Sequence, residues 1–248
     1  MEPIRSLRNP ALQRVRALRR TAERREQGLF VVEGEDHVEA AIRAGATIED
    51  VLVREGADAP SASGVEPLVV AGEAMDRVSE VASGSRVIAV VRTDSLPQPP
   101  VELTGVGLVL CGVSDPGNVG TLLRTAAAFA AEVVVLGAPS ADPTAPKAVR
   151  AAIGATFAVP TLAVDDVAAA YPDARLVALD ARGQVDLADA DLSGPLLIAL
   201  GAEREGLPAA ARARADQICR IPQSGAAESL NVGAAGAIAL AAAYHRRG

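Results

Sequence analysis

Between Gly107 and Ile221 the chain repeats one pattern: a short unbroken apolar run, a turn carrying glycine or proline, then a stretch with helical spacing. Apolar runs without alternation mark strands buried on both faces, and intervening helices are the crossovers that parallel strands need. The pattern predicts strands at 107–113, 133–137, 157–159, 176–180, 195–201 and 217–221, with helices at 118–130, 146–153, 165–171, 208–214 and 229–246. The class is α/β, with a parallel sheet covered on both sides.

The first part of the chain alternates on a smaller scale. Residues 9–25 carry apolar positions at Leu12, Val15, Leu18 and Ala22, close to helical spacing. Short strands follow at 30–32, 51–53, 67–70 and 86–91, with helices at 35–44 and 72–81. This is a small α/β/α domain. Thr93-Asp94-Ser95-Leu96-Pro97-Gln98-Pro99-Pro100 cannot join a central strand and stiffens the path. It reads as a linker, placing a first domain at 1–95, a Pro-rich linker at 96–102 and a second domain at 103–248.

Three polar, glycine-bearing segments follow predicted strands of the second half. Ser114-Asp115-Pro116-Gly117-Asn118 leads into a helix carrying Arg124, six residues beyond Asn118 and close to two turns further on. Gly201-Ala202-Glu203-Arg204-Glu205-Gly206-Leu207-Pro208 follows the run 195–200. Ile221-Pro222 and then Ser229-Leu230-Asn231-Val232 precede an Ala-rich helix, with Ser229 placed where an N-cap stands. Loops at the ends of consecutive strands are where open α/β sheets place ligands. No GxGxxG follows the first strand of this half, since Gly105, Gly107 and Gly112 have the wrong spacing, so an ordinary dinucleotide site is not indicated.

In this order the three segments resemble the motifs of the SpoU (TrmH-type) branch of the SPOUT RNA methyltransferases. The resemblance is close over about residues 103–248 and looser at Phe30-Val31-Val32-Glu33-Gly34, which is similar to the start of that family's RNA-binding domain. It implies a C-terminal SPOUT domain with a deep trefoil knot, preceded by an L30e-like substrate-binding domain, and a homodimer whose site is completed by the second subunit. It also implies S-adenosyl-L-methionine (AdoMet) as cofactor and a ribose 2′-hydroxyl of RNA as methyl acceptor. Ribosomal RNA is favoured over transfer RNA. A non-catalytic RNA-binding or ribosome-assembly module is the other alternative.

By the same resemblance the catalytic positions are Asn118, Arg124, Glu203, Ser229 and Asn231. A guanidinium stays protonated in proteins, so Arg124 is read as a cationic stabiliser of the developing alkoxide rather than a base. Glu203 is read as an anchor of its loop or of Arg124, with Glu205 and Glu228 as solvated neighbours. The cofactor positions are Gly201, Ile221 and Leu230, with Leu179, Leu200 and Gln223 beside them. Glycine at 201 suits close approach of backbone to a ligand. Ile221 and Leu230 also suit plain core packing.

The net charge of −7 runs against nucleic-acid binding, but its distribution does not. Eight arginines fall in the first 25 residues against two acids, Glu2 and Glu23. Arg5, Arg8, Arg16, Arg19 and Arg20 are candidate phosphate contacts; a solvated basic helix face is the plainer alternative. Aromatic content of 2% argues against reading single-stranded bases by stacking and favours recognition of folded RNA by shape and phosphates. Cys111 and Cys219 lie in apolar runs, and the two histidines, His37 and His245, are too few for a His-based metal centre. No metal, no membrane span and a cytoplasmic location are expected.

Overall fold

The computed structural model describes residues 2–61, 64–81, 84–224 and 229–247. Two compact units divide the chain: residues 1–96 with 144–157, and residues 97–143 with 158–248.

The first unit holds a four-stranded sheet of β1 (Leu29–Glu33), β2 (Ile48–Arg54), β3 (Leu68–Val70) and β4 (Val87–Arg92) in the order β1-β4-β2-β3. β4 runs antiparallel to both β1 and β2, and β3 is parallel to β2. The period-two alternation of a strand sends its residues to two cores. Phe30, Val32, Val51, Val53, Ala89 and Val91 pack with Val38 and Ala41 of α3 (Glu35–Arg43) on one face. Val31, Leu52, Ile88 and Val90 pack with Leu12 and Val15 of α1 (Pro10–Ala17) and Met75 and Val78 of α4 (Gly72–Val78) on the other. The expected three-layer α/β/α arrangement results.

The predicted helix at 9–25 is two helices, α1 and α2 (Thr21–Gln27). Arg24 explains the break: its guanidinium is buried and donates to the carbonyls of Leu18 and Arg19, 2.9 Å each, and to the Thr21 hydroxyl. These bonds satisfy carbonyls at the end of α1 that a continuing helix would have used. Residues 144–157, which the sequence reading places in the second domain, group instead with the first unit. There Val149 of α6 (Pro146–Ala152) and Phe157 enter the core around Phe30, with ring centroids of Phe30 and Phe157 6.1 Å apart.

The second unit carries seven strands, all parallel, in the order β7-β6-β5-β10-β8-β11-β9. These are β5 (Val106–Cys111), β6 (Val133–Gly137), β7 (Thr161–Val164), β8 (Arg175–Leu179), β9 (Val185–Asp186), β10 (Leu196–Gly201) and β11 (Gln217–Arg220). α5 (Pro116–Ala128) and α8 (Val232–His245) pack together over one face. α7 (Ala209–Arg214) and the turn at Val167–Ala169 contribute to a core on the other, with Val109, Val135, Leu176 and Ala199. Gly236 lets α8 settle onto its neighbours: a Cβ there would meet Leu122 of α5 at 2.3 Å and Leu200 of β10 at 3.0 Å.

Two expectations shift. The strand predicted at 157–159 lies at Thr161–Val164, because Phe157 belongs to a 3-10 turn in the other unit's core. The helix predicted at 165–171 is a single 3-10 turn, Val167–Ala169, opened by the Asp166 carboxylate accepting from the Ala168 amide. Among the described residues no helix is long and apolar enough to cross a membrane, and no group of three or more His, Cys, Asp or Glu is placed to hold a metal ion. Both cysteines are buried free thiols, and burial pushes the Cys111 thiol up to about 11.

Candidate active site

A cleft of about 400 Å³ opens where three neighbouring strands end. Its walls are Leu179 to Arg182 after β8, Leu200 to Arg204 and Gly206 after β10, and Ile221 and Gln223 after β11. Ser229 to Val232 and Ala235, at the start of α8, close it. This is the position the carboxyl ends of parallel strands offer a ligand, and the size suits a nucleoside-sized molecule.

All six cofactor positions read from the sequence line this cleft: Leu179, Leu200, Gly201, Ile221, Gln223 and Leu230. Ile221 and Leu230 are half-buried, as wall residues are, and not core. The reason for glycine at 201 differs from the expected one. A Cβ there would meet the backbone of Gly206 and Leu207 at 2.3–2.6 Å, so Gly201 allows its own loop to fold back rather than a ligand to approach. The fold-back is a tight hairpin in which Ala202 and Gly206 exchange backbone hydrogen bonds of 3.1 and 3.0 Å.

That hairpin holds Glu203 at its tip, where a chain of amides meets it. Asn231, not Ser229, is the N-cap of α8: its Oδ1 accepts from the Gly233 amide at 2.8 Å and the Ala234 amide at 3.4 Å. The predicted helix start at Ser229 therefore moves to Val232. With Oδ1 occupied as an acceptor, Asn231 Nδ2 donates to Asn118 Oδ1 at 3.3 Å, and Asn118 Nδ2 donates to Glu203 Oε1 at 2.7 Å. The orientation of each amide is fixed by the one before it. Asn118 is itself placed by Asp115, which caps α5 by accepting from the Asn118 amide at 3.0 Å, with Pro116 in the first turn. Three sequence segments thus converge on one hydrogen-bonded line. Ser229 is exposed and lines the cleft beside it.

Arg124 is not brought to this cleft. Six residues advance a helix by roughly 600°, which leaves Arg124 about 120° around α5 from Asn118. Its side chain is exposed and makes no hydrogen bond or ion pair among the described residues. Glu205 is exposed as expected, and Glu228 lies outside the described residues. The sequence reading missed the β8 loop residues Asp180 to Arg182, although its predicted strand 176–180 already pointed to that loop. Partial burial works against charge on Asp180, but the Arg182 amide and the Arg212 guanidinium together hold its carboxyl below the usual carboxylate range.

The N-terminal arginines separate into two groups. Arg5, Arg8 and Arg16 are exposed, and their guanidinium groups have no partner among the described residues. Arg19 donates to the carbonyls of Val78 and Ser79 and stands 3.3 Å from Glu80, while Arg20 pairs with Glu23 at 2.7 Å.

Both units have counterparts among known proteins. Residues 105–241 match the SpoU rRNA Methylase family and residues 9–89 match an MRM3-like substrate binding domain, so the chain belongs to the SpoU rRNA methylase family. The chain is 30% identical, over the full length of both, to a 23S rRNA (guanosine(2553)-2′-O)-methyltransferase of Bacillus subtilis. It is also similar to the AdoMet-bound rRNA methyltransferase from Sinorhizobium meliloti, with a TM-score of 0.85 and 28% identity, covering 99% of this chain and 98% of that one. A structure described as concerning 2-OH methylation of C/U34 on tRNA matches 58% of this chain and 97% of its own, with a TM-score of 0.53 and 31% identity.

Proposed function

We propose that the protein is an AdoMet-dependent methyltransferase acting on a ribose 2′-hydroxyl of 23S ribosomal RNA, in the cytoplasm and as a homodimer. The observation that carries the reading is the Asn231–Asn118–Glu203 line at the mouth of a cleft walled by Leu179, Leu200, Ile221 and Leu230. The residues fit the cofactor: apolar walls and exposed strand-end backbone suit an adenosine, and Glu203, Arg204 and Gln223 offer polar contacts for its amino-acid end. Bound AdoMet supplies an already activated methyl group, so the protein's task is alignment and charge stabilisation.

Within that task Glu203 anchors the hairpin through Asn118, and Ser229 and Asn231 orient the acceptor ribose. Arg124 supplies fixed positive charge for the oxygen that loses its proton. Because Arg124 does not line its own chain's cleft, it serves the cleft of the second subunit. α8 supports this assembly. A helix that is apolar on every side is normally buried all round. Here Val232, Gly236, Leu240 and Ala243 are covered, yet Ile238 and Tyr244 are 42% and 54% exposed, with the Phe129 ring tilted against Tyr244 at a centroid distance of 5.9 Å. A trefoil knot in the C-terminal segment belongs to the same reading.

The N-terminal unit is the RNA-capturing part, through Arg5, Arg8 and Arg16. Ribosomal RNA is favoured because the relative matched from end to end acts on 23S rRNA, whereas the structure concerned with tRNA matches just over half of the chain. Isothermal calorimetry with AdoMet, followed by methyl transfer to purified 23S rRNA and to bulk tRNA, tests the reading. Binding with transfer to rRNA is expected. No binding at millimolar AdoMet overturns it.

A further inference from the structure

Two arginines line the cleft, and they differ in what holds them. Arg182 has Asp180 within 3.6 Å. Arg204 is exposed and has no hydrogen bond or ion pair among the described residues. Its backbone is nevertheless well fixed. It stands at the tip of the Ala202–Gly206 hairpin, whose closure Gly201 permits, and its neighbour Glu203 is tied to Asn118. An unpartnered guanidinium whose backbone is held at the edge of a ligand cleft is available to an anionic oxygen bound there.

The neighbouring charge narrows which anion. Glu203 has one oxygen engaged by the Asn118 amide and no ion pair among the described residues, so the two opposite charges at 203 and 204 are not spent on each other. Adjacent, mutually unpaired charges of opposite sign complement a zwitterion, and an α-amino acid carries its ammonium and carboxylate on one carbon. The amino-acid end of AdoMet is such a group.

Resting on the methyltransferase reading, we propose that Arg204 binds the α-carboxylate of AdoMet, with Glu203 as counter-charge to its ammonium. The hairpin tip then selects cofactors that carry an intact amino-acid end. A phosphate of the RNA offers similar anionic oxygens, and the experiment separates the two.

Calorimetry of wild type and Arg204→Gln with AdoMet and with decarboxylated AdoMet reads the proposal directly, because the second ligand keeps adenosine, sulfonium and ammonium but lacks the carboxylate. Wild type should prefer AdoMet by about tenfold, near 1.4 kcal/mol. Arg204→Gln should weaken AdoMet by about the same factor while leaving decarboxylated AdoMet within about twofold, so that the preference collapses. An unchanged melting temperature checks that the exposed tip has not disturbed the fold. If the preference survives in Arg204→Gln, the assignment is wrong. If AdoMet binding is unchanged and 23S rRNA binding weakens instead, Arg204 is a phosphate contact and the proposal fails. Failure of both ligands to bind wild type overturns the cofactor reading itself, whereas equal binding of both overturns the Arg204 assignment alone.

Discussion

Asn118 Nδ2 donates to Glu203 Oε1 at 2.7 Å across 85 residues of sequence, joining the first turn of α5 to the hairpin after β10. Removing the amide leaves Glu203 without its described partner while α5 keeps its Asp115 cap. Asn118→Ala should lower the methyl-transfer rate roughly 10- to 100-fold through misplacement, with AdoMet affinity within about threefold. Asn231→Ala removes the α8 cap as well and should cost about 1 kcal/mol of stability in addition. Full turnover in Asn118→Ala, measured under saturating AdoMet, would remove the hydrogen-bonded line from the mechanism.

Much of this site was legible because ligand loops concentrate unusual residues. Asn118, Glu203, Ser229 and Asn231 sit in short segments with little reason to be polar as helix or strand, and all six expected wall positions line the cleft. What was not legible depends on partners distant in sequence. Phe157 reads as strand because it is apolar, but its ring packs on Phe30, more than a hundred residues earlier in the same first unit. Arg24 reads as another basic surface residue, yet its bonds to Leu18 and Arg19 divide a helix in two. Ser229 and Asn231 are both good caps by composition, and only the amides of Gly233 and Ala234 decide between them. Helical arithmetic, worked to the degree, already separates Arg124 from Asn118.

Asp180 makes the stability of the cleft loops depend on pH. Its native carboxyl titrates below its ordinary value of 3.8 because, against the cost of partial burial, Arg182 and Arg212 favour the charged form. A depressed native pKa contributes stability that is present above the unfolded value and is lost as pH falls through the native one. Asp180→Asn should therefore lower the melting temperature by about 2–4 °C at pH 6–7, roughly 1 kcal/mol. The gap to wild type should narrow as the pH drops below 3.8. A gap that stays constant from neutral pH to pH 3 would contradict this role.

The exposed face of α8 predicts the assembly. Wild type should scatter light as a particle of about twice 25.2 kDa. Ile238→Asp puts an unpaired charge on a position that is 42% exposed in one chain, and should shift the protein to single-chain mass while AdoMet binding persists. A fully active wild-type monomer would refute the shared site.

RNA capture should follow the free arginines and not the paired ones. Replacing Arg5, Arg8 and Arg16 together with Gln should weaken 23S rRNA binding and reduce the slope of log affinity against log salt by roughly 2 to 3. Replacing Arg19 and Arg20, which are held by Val78, Ser79, Glu80 and Glu23, should change that slope much less. Gel-shift titrations at several salt concentrations check both, and equal effects would place the RNA surface elsewhere.

Methyl transfer to a ribose 2′-hydroxyl should depend on Arg124 as the essential cation. The direct measurement incubates purified 23S rRNA with AdoMet and either wild type or Arg124→Ala, digests the RNA to nucleosides and quantifies 2′-O-methylated products by mass spectrometry. Wild type should yield one 2′-O-methylnucleoside in near-stoichiometric amount, and Arg124→Ala should be slower by about 10²- to 10³-fold with AdoMet affinity unchanged. Methylation found on a base would overturn ribose 2′-O-transfer, and undiminished transfer by Arg124→Ala would remove Arg124 from the chemistry.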